Sequence, residues 1–198
     1  MKQIILFFTA VFFLSFSSMA QLDKKNWLVG GSGSFKSINN NFQSSAANWE
    51  YKRTEIRLTP NIGYFIIDKF AVGVKTSLLL QNDKGLSVGT AYGKSLRLDY
   101  GPFLRYYFLD KEKPFNILTD LSYQFGNVTL TGEKGSRNNF SFIAGPAIYF
   151  NSSAAIEILV GYTHSTEQIS TSTIGNPYKQ IDKGLQFAIG FQIHLEKS

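Results

Sequence analysis

The chain has no cysteine and only two histidines, His164 and His194. Without cysteine there is no disulfide framework, no thiolate zinc site and no cysteine nucleophile. Two histidines leave little room for a His-rich metal site. Charged residues make up 17% of the 198, below the roughly 25% of an ordinary soluble domain. Mean hydropathy is −0.08, too low for a bundle of membrane helices. The apolar run Ile4 to Phe16 covers about 13 residues, short of the ~20 that a spanning helix needs. From Asn26 onward no window shows a helical period. What the chain has instead is aromatics, 15% with 18 Phe and 10 Tyr, and 17 Gly. That mixture suits β-strands in which apolar and polar residues alternate.

Residues 1–20 read as a secretory signal peptide. Lys2 supplies the positive start, Ile4 to Phe16 the apolar segment, and Ser18-Met19-Ala20 the small residues before a cleavage point. No cysteine stands there, so lipoprotein processing is excluded. Residues 21–198 then form one domain. Losing Lys2 takes the formal charge from +6 to about +5.

Period-two alternation recurs in eight segments: 27–36, 54–66, 70–80, 95–108, 115–125, 139–150, 155–165 and 185–195. In the fourth, Leu96, Leu98, Tyr100, Pro102, Leu104, Tyr106 and Phe108 share one face. Arg97, Asp99, Gly101, Phe103, Arg105 and Tyr107 share the other. Connections at 37–53, 81–94, 127–138 and 166–183 are long and polar, and those at 67–69, 109–114 and 151–153 are short. Short and long links take turns, as in an up-and-down barrel crossing an outer membrane, with short periplasmic turns and long external loops. The expected fold is all-β, an eight-stranded antiparallel up-and-down transmembrane β-barrel.

The solvent follows from the size of the bore. Eight strands leave an interior just wide enough for side chains. Eight full faces of Leu, Ile, Phe and Tyr would overfill it, whereas Ser, Gly, Thr, Asn, Gln and a few charges fit. The apolar faces therefore point outward, and that requires lipid. Closure follows too, because unpaired peptide groups in hydrocarbon cost several kcal/mol each. Aromatics bunch at the strand ends. Trp27, Tyr64, Phe70, Tyr106, Phe108, Phe115 and Phe150 fall toward the short turns, and Phe35, Phe125, Phe140, Tyr162 and Phe187 toward the long loops. Two such belts mark the bilayer interfaces. The expected location is the cell outer membrane.

The stretch from Leu58 to Gly73 (LTPNIGYFIIDKFAVG) resembles the first hairpin of the bacterial outer-membrane β-barrel domain family. The segments Tyr100–Phe108 (YGPFLRYYF) and Ala144–Phe150 (AGPAIYF) resemble its recurrent Gly-Pro-x-x-x-Tyr strands, the second with Phe150 at the Tyr position. The resemblance runs from about residue 26 to the end and implies a small OmpA-like or OmpX-like barrel; it is nearly silent on activity. The chain departs from the family in ending His194-Leu-Glu-Lys-Ser198 rather than on an aromatic residue.

The expected inner face carries Glu55, Arg57, Lys75, Arg97, Asp99, Arg105, Asp120 and Glu157. Buried charges must pair, so these read as a salt-bridged, water-filled plug of polar side chains. An alternative is a narrow gated conduit. A hydrolase triad could be sought in His164-Ser165-Thr166-Glu167, but neighbours on a strand point to opposite faces. Gly30-Gly31-Ser32-Gly33 falls within a strand and reads as close packing, not a phosphate loop.

Lys52, Arg53, Lys84, Lys94, Lys134, Arg137, Lys179 and Lys183 fall in or beside the long loops, where lipopolysaccharide phosphates favour positive charge. They are too scattered for a nucleic-acid stripe. The loops themselves, with Asn39–Asn41, Ser44-Ser45 and Ser170–Thr173, are polar contact surfaces.

The function expected is a non-enzymatic structural or surface-interaction barrel without cofactor or metal. Its partners are outer-membrane lipids, lipopolysaccharide and an envelope or extracellular protein met through the loops, and it is a monomer. A narrow channel or transport-assembly subunit, a lipid A-modifying enzyme and a soluble ligand-binding barrel are the other readings.

Overall fold

The computed structural model describes residues 22–43, 48–85, 93–130, 133–169 and 178–196. The signal-peptide reading of residues 1–20 lies outside them. Eight strands follow in chain order: β1 Trp27–Gln43, β2 Asn48–Ile67, β3 Phe70–Gly85, β4 Gly93–Tyr107, β5 Phe115–Leu130, β6 Glu133–Tyr149, β7 Ala154–Ile169 and β8 Tyr178–Leu195. Each pairs antiparallel with the next, and β8 returns to β1, closing the barrel.

The predicted parity holds throughout. Leu98, Leu104 and Ile189 face outward and are exposed, whereas Asp99, Arg105 and Asp120 are buried. Aromatic pairs mark both ends of the outer surface. Trp27 meets Tyr64 with ring centroids 5.1 Å apart, Tyr106 meets Phe108 at 5.0 Å, and at the other end Tyr123 meets Phe125 at 5.0 Å.

Two features differ from the sequence reading. First, the strands are longer. Most of 37–53, 81–94, 127–138 and 166–183, expected as loops, continues as paired strand. Residues 44–47, 86–92, 131–132 and 170–177, with Ser44-Ser45 and Ser170–Thr173, lie outside the described residues. The strands run 15 to 20 residues, and a tilted strand needs only about 9–11 to cross the apolar layer. Their external portions therefore stand in water. There no lipid enforces alternation, so the period-two signal fades.

Second, the interior is not polar throughout. Toward the short turns Leu28, Phe65, Phe103, Tyr107, Leu118, Tyr149 and Leu159 form a buried apolar cluster. The expected plug of polar side chains is confined to the levels above it. At this end the segment Leu22–Asn26 folds beneath the barrel. Leu22 is buried in the cluster, its carbonyl accepts from Lys69 N at 2.8 Å, and Phe65 N donates to Asn26 O at 3.0 Å. Lys69 takes a positive φ of 64° to turn β2 into β3 across two residues.

Prolines and glycines shape the wall. The β2–β3, β4–β5 and β6–β7 ladders skip the positions around Pro60, Pro102 and Pro146, because proline brings no N–H to a ladder. Gly63 and Gly73 are cross-strand partners, and the Phe103 ring lies over them. A Cβ on Gly73 would stand 2.6 Å from that ring, and one on Gly63 2.8 Å.

The closing seam is short. β1 pairs with β8 only from Trp27↔Leu195 to Gly33↔Ile189. Above it, the external parts of both strands keep only their other neighbours among the described residues. Leu185 (74%), Phe187 (71%), Phe35 (70%) and Ile189 (67%) at this seam are the most exposed large apolar side chains among the described residues.

Candidate functional site

Inward parity on β2 to β7 gathers charge from strands far apart in the chain. All eight charged residues expected on the inner face are there, but they divide into groups. At mid-height Arg105 donates to two carboxylates, Nε to Asp120 Oδ2 at 2.9 Å and Nη1 to Glu157 Oε1 at 2.9 Å. Lys75 Nζ donates to the other Asp120 oxygen. Two cations and two anions thus balance in a buried cluster. Phe103 forms its floor, with Lys75 Nζ 5.0 Å and Arg105 Cζ 5.7 Å from the ring centroid. Glycine makes room for the cluster: a Cβ on Gly190 would lie 2.9 Å from Glu157 Oε2.

Above this level Arg97 meets Glu167 at 3.3 Å and donates to Gln81 Oε1 at 2.7 Å. Arg137 approaches Asp99 at 3.7 Å. Ser77 donates to Gln124 Oε1 at 3.0 Å, and Asn139 Nδ2 reaches the same oxygen at 3.4 Å. Glu55 and Arg57 stand apart from the Arg105 cluster. They line a 250 Å³ cavity behind the seam with Ser34, Thr163 and Gln186.

Two members of the interior network depart from the sequence reading. Arg137, expected on the basic loop rim, is 4% exposed inside the barrel. Glu167, expected only as a potential catalytic acid, is buried beside Arg97. The signal that could have found both is parity counted onward along β6 and β7, two steps per inward residue. Lys52, Lys84, Lys179 and Lys183 do lie exposed at the external end. The side chains of Arg53, Lys94, Lys134 and Asn39–Asn41 lie outside the described set.

Below the charged cluster the bore is filled. His194, Tyr107, Tyr149 and Phe65 pack together. The His194 ring centroid lies 5.8 Å from that of Tyr107, 5.6 Å from Tyr149 and 6.0 Å from Phe65. Tyr107 Oη and His194 Nε2 are 3.3 Å apart. None of the four is more than 2% exposed.

The turn end carries its own ion pairs. Lys69 donates to Asp110 at 2.6 Å and Lys111 to Asp23 at 2.8 Å. The hydrogen bond between them holds the Lys69 amine above and the Asp110 carboxyl below their ordinary ranges. The hydrogen bond from Lys111 to Asp23 likewise raises the Lys111 amine.

The hydrolase constellation does not assemble. His164 faces outward, while Ser165 and Glu167 are buried on the inward side. Asp120 and Glu157 are both held by Arg105. No group of three or more His, Asp or Glu among the described residues is placed to hold a metal ion.

A closed ring of eight antiparallel strands, greasy outside and charged within, is now complete. The fold is that of an outer-membrane β-barrel. A solved structure, the outer membrane protein OprG from Pseudomonas aeruginosa, is similar in fold, with a TM-score of 0.54 over 90% of this chain and 100% of that one, at 16% identity. No family model matches the chain, and no curated protein matches it. Fold likeness supports the outer-membrane barrel class as a whole, not the OmpA-like or OmpX-like subset. An apolar exterior on a closed barrel is stable only in lipid, and it places the protein in the cell outer membrane.

Proposed function

We propose that this barrel is a non-enzymatic membrane protein with a structural or surface-interaction role, exerted by the wall that rises past the lipid. One observation carries the reading: the bore ends in a packed apolar and aromatic floor. Phe65, Tyr107, Tyr149 and His194 fill it, and Leu22 closes it from below. Eight-stranded bores leave room only for side chains, and here those side chains are large at one end and ion-paired above. The opposite facing of His164 and Ser165 supports the absence of hydrolase chemistry at that motif. The partners proposed are envelope lipids and a macromolecule at the cell surface, with the barrel acting as a monomer.

The second reading, a narrow conduit or a transport-assembly subunit, draws on the 250 Å³ cavity behind the seam. Planar-bilayer recording separates the two. The refolded full-length protein should give no stepwise conductance above the lipid background, before or after Arg97 or Arg105 is substituted. Discrete steps that change with either substitution overturn the structural reading in favour of the conduit.

A further inference from the structure

A row of outward residues crosses four strands at the external girdle. Tyr123 on β5 is paired with Phe140 on β6, Phe140 with His164 on β7, and His164 with Lys183 on β8. The row passes from two aromatics through an imidazole to an ammonium. Just above it Gln168 is paired with Lys179. All of these except Lys183 line a hollow of 540 Å³ in the outer wall, within the range of about 300–1,000 Å³ that suits small-molecule sites. Its apolar part is Tyr123, Phe140 and Tyr162, and its polar part Asn138, His164, Thr166, Gln168 and Lys179. Among the described residues no acidic side chain lines it. Glu167, next to Thr166, is turned inward onto Arg97.

We propose that this hollow binds one phosphorylated outer-leaflet lipid of the lipopolysaccharide class. The argument is complementarity at a fixed depth. Aromatic side chains at the interface lie against acyl chains near the headgroup. Cationic and neutral donors one step further out meet phosphate oxygens, and a charge-assisted bond to phosphate is the strong kind. A phosphorylated glycolipid presents those two chemistries in that order along the membrane normal. The far wall is poorer in the first. Lys52 and Lys84 face each other across β2 and β3, and below them on the outward face come Thr54 with Asn82 and then Ile56 with Leu80; the one aromatic side chain paired into those rows among the described residues is Phe35, across from Ile56. The inference rests on the membrane reading and on the external placement of this end, not on whether the bore conducts.

Native mass spectrometry of the full-length protein refolded in detergent tests it, with heat-modifiable gel migration confirming that each variant is folded. The probes are bisphosphorylated lipid A, its dephosphorylated form and phosphatidylglycerol. The wild type should retain one lipid A, with both other lipids held far more weakly. Lys179→Glu combined with Lys183→Glu, and separately His164→Glu, should weaken that adduct by roughly tenfold or more. Lys84→Glu, which changes net charge on the far wall, should leave it intact. Three results overturn the proposal: dephosphorylated lipid or phosphatidylglycerol retained as well as lipid A, Lys84→Glu as damaging as the girdle variants, or no lipid A retained by the wild type. Bilayer conductance reads the bore alone, so this proposal and the structural reading fail separately.

Discussion

Arg105→Met isolates the interior network. The guanidinium is 2% exposed and bridges Asp120 and Glu157, whose side chains are fully buried. Removing it leaves Asp120 with Lys75 but takes from Glu157 the cation that faces it. Removing one partner of a buried ion pair costs about 3–5 kcal/mol, because the charge left behind is uncompensated. The cost should therefore fall on Glu157, and neutralising that residue should recover much of it. In urea titrations of the barrel in lipid vesicles, followed by fluorescence from its two tryptophans, Arg105→Met should lower stability by about 3–5 kcal/mol. Arg105→Met with Glu157→Gln should be more stable than Arg105→Met alone by about 1–3 kcal/mol, since a neutral amide is cheaper to bury than a lone carboxylate. A neutral Arg105→Met, or a double variant as unstable as the sum of both singles, refutes the reasoning.

The Gly73 slot makes a sharper local test. Gly73→Ala puts a Cβ against the Ile62 carbonyl oxygen and Gly63 Cα of β2 as well as the Phe103 ring, so the β2–β3 backbone must part, and it should cost about 1–3 kcal/mol in the same titration, whereas Gly184→Ala, with nothing within 4 Å of its Cβ, should be silent. At the turn end, the Asp110 carboxyl should titrate below the ordinary carboxyl range by NMR and move up toward it in Lys69→Met. The stabilising effect of that pair is present above the ordinary carboxyl range and is lost as pH falls through the lower folded value. On the alkaline side it is full below 10.5 and is lost as pH rises from there through the raised value of Lys69. Amides of β8 that point toward β1 should exchange faster in Tyr178–Ala188 than in Ile189–Leu195, where the ladder is complete; equal protection of the two halves refutes the open seam.

The parts of the fold bathed in lipid were legible residue by residue. In β4 and β5 every second side chain must be apolar, and Leu104 or Leu121 announces its neighbours' direction. The legible region stops where lipid stops, which is why Arg137 and Glu167, inward residues on strand extensions, read as loop. The apolar floor was hidden for the opposite reason. Around Tyr64-Phe65-Ile66 both faces are greasy, so alternation vanishes and Phe65 could not be told from a lipid-facing residue. The ion pairs join positions such as Lys75 and Asp120, or Arg105 and Glu157, on strands that are not neighbours in every case. Parity says that each points inward; only the curvature of the wall says which of them meet.

The zipper from Trp27↔Leu195 to Gly33↔Ile189 has a consequence for how the chain matures. The seven other strand pairings join neighbours in the chain; this one must wait for the first and last strands to find each other, the costliest loop to close. It is also brief, so little is gained once it forms. Completion of the ring is therefore the late and delicate event in assembly, and lesions along Gly30, Gly31 or Gln192, where backbone and side chain are tightly apposed, should accumulate an unsealed sheet rather than a weakened finished cylinder.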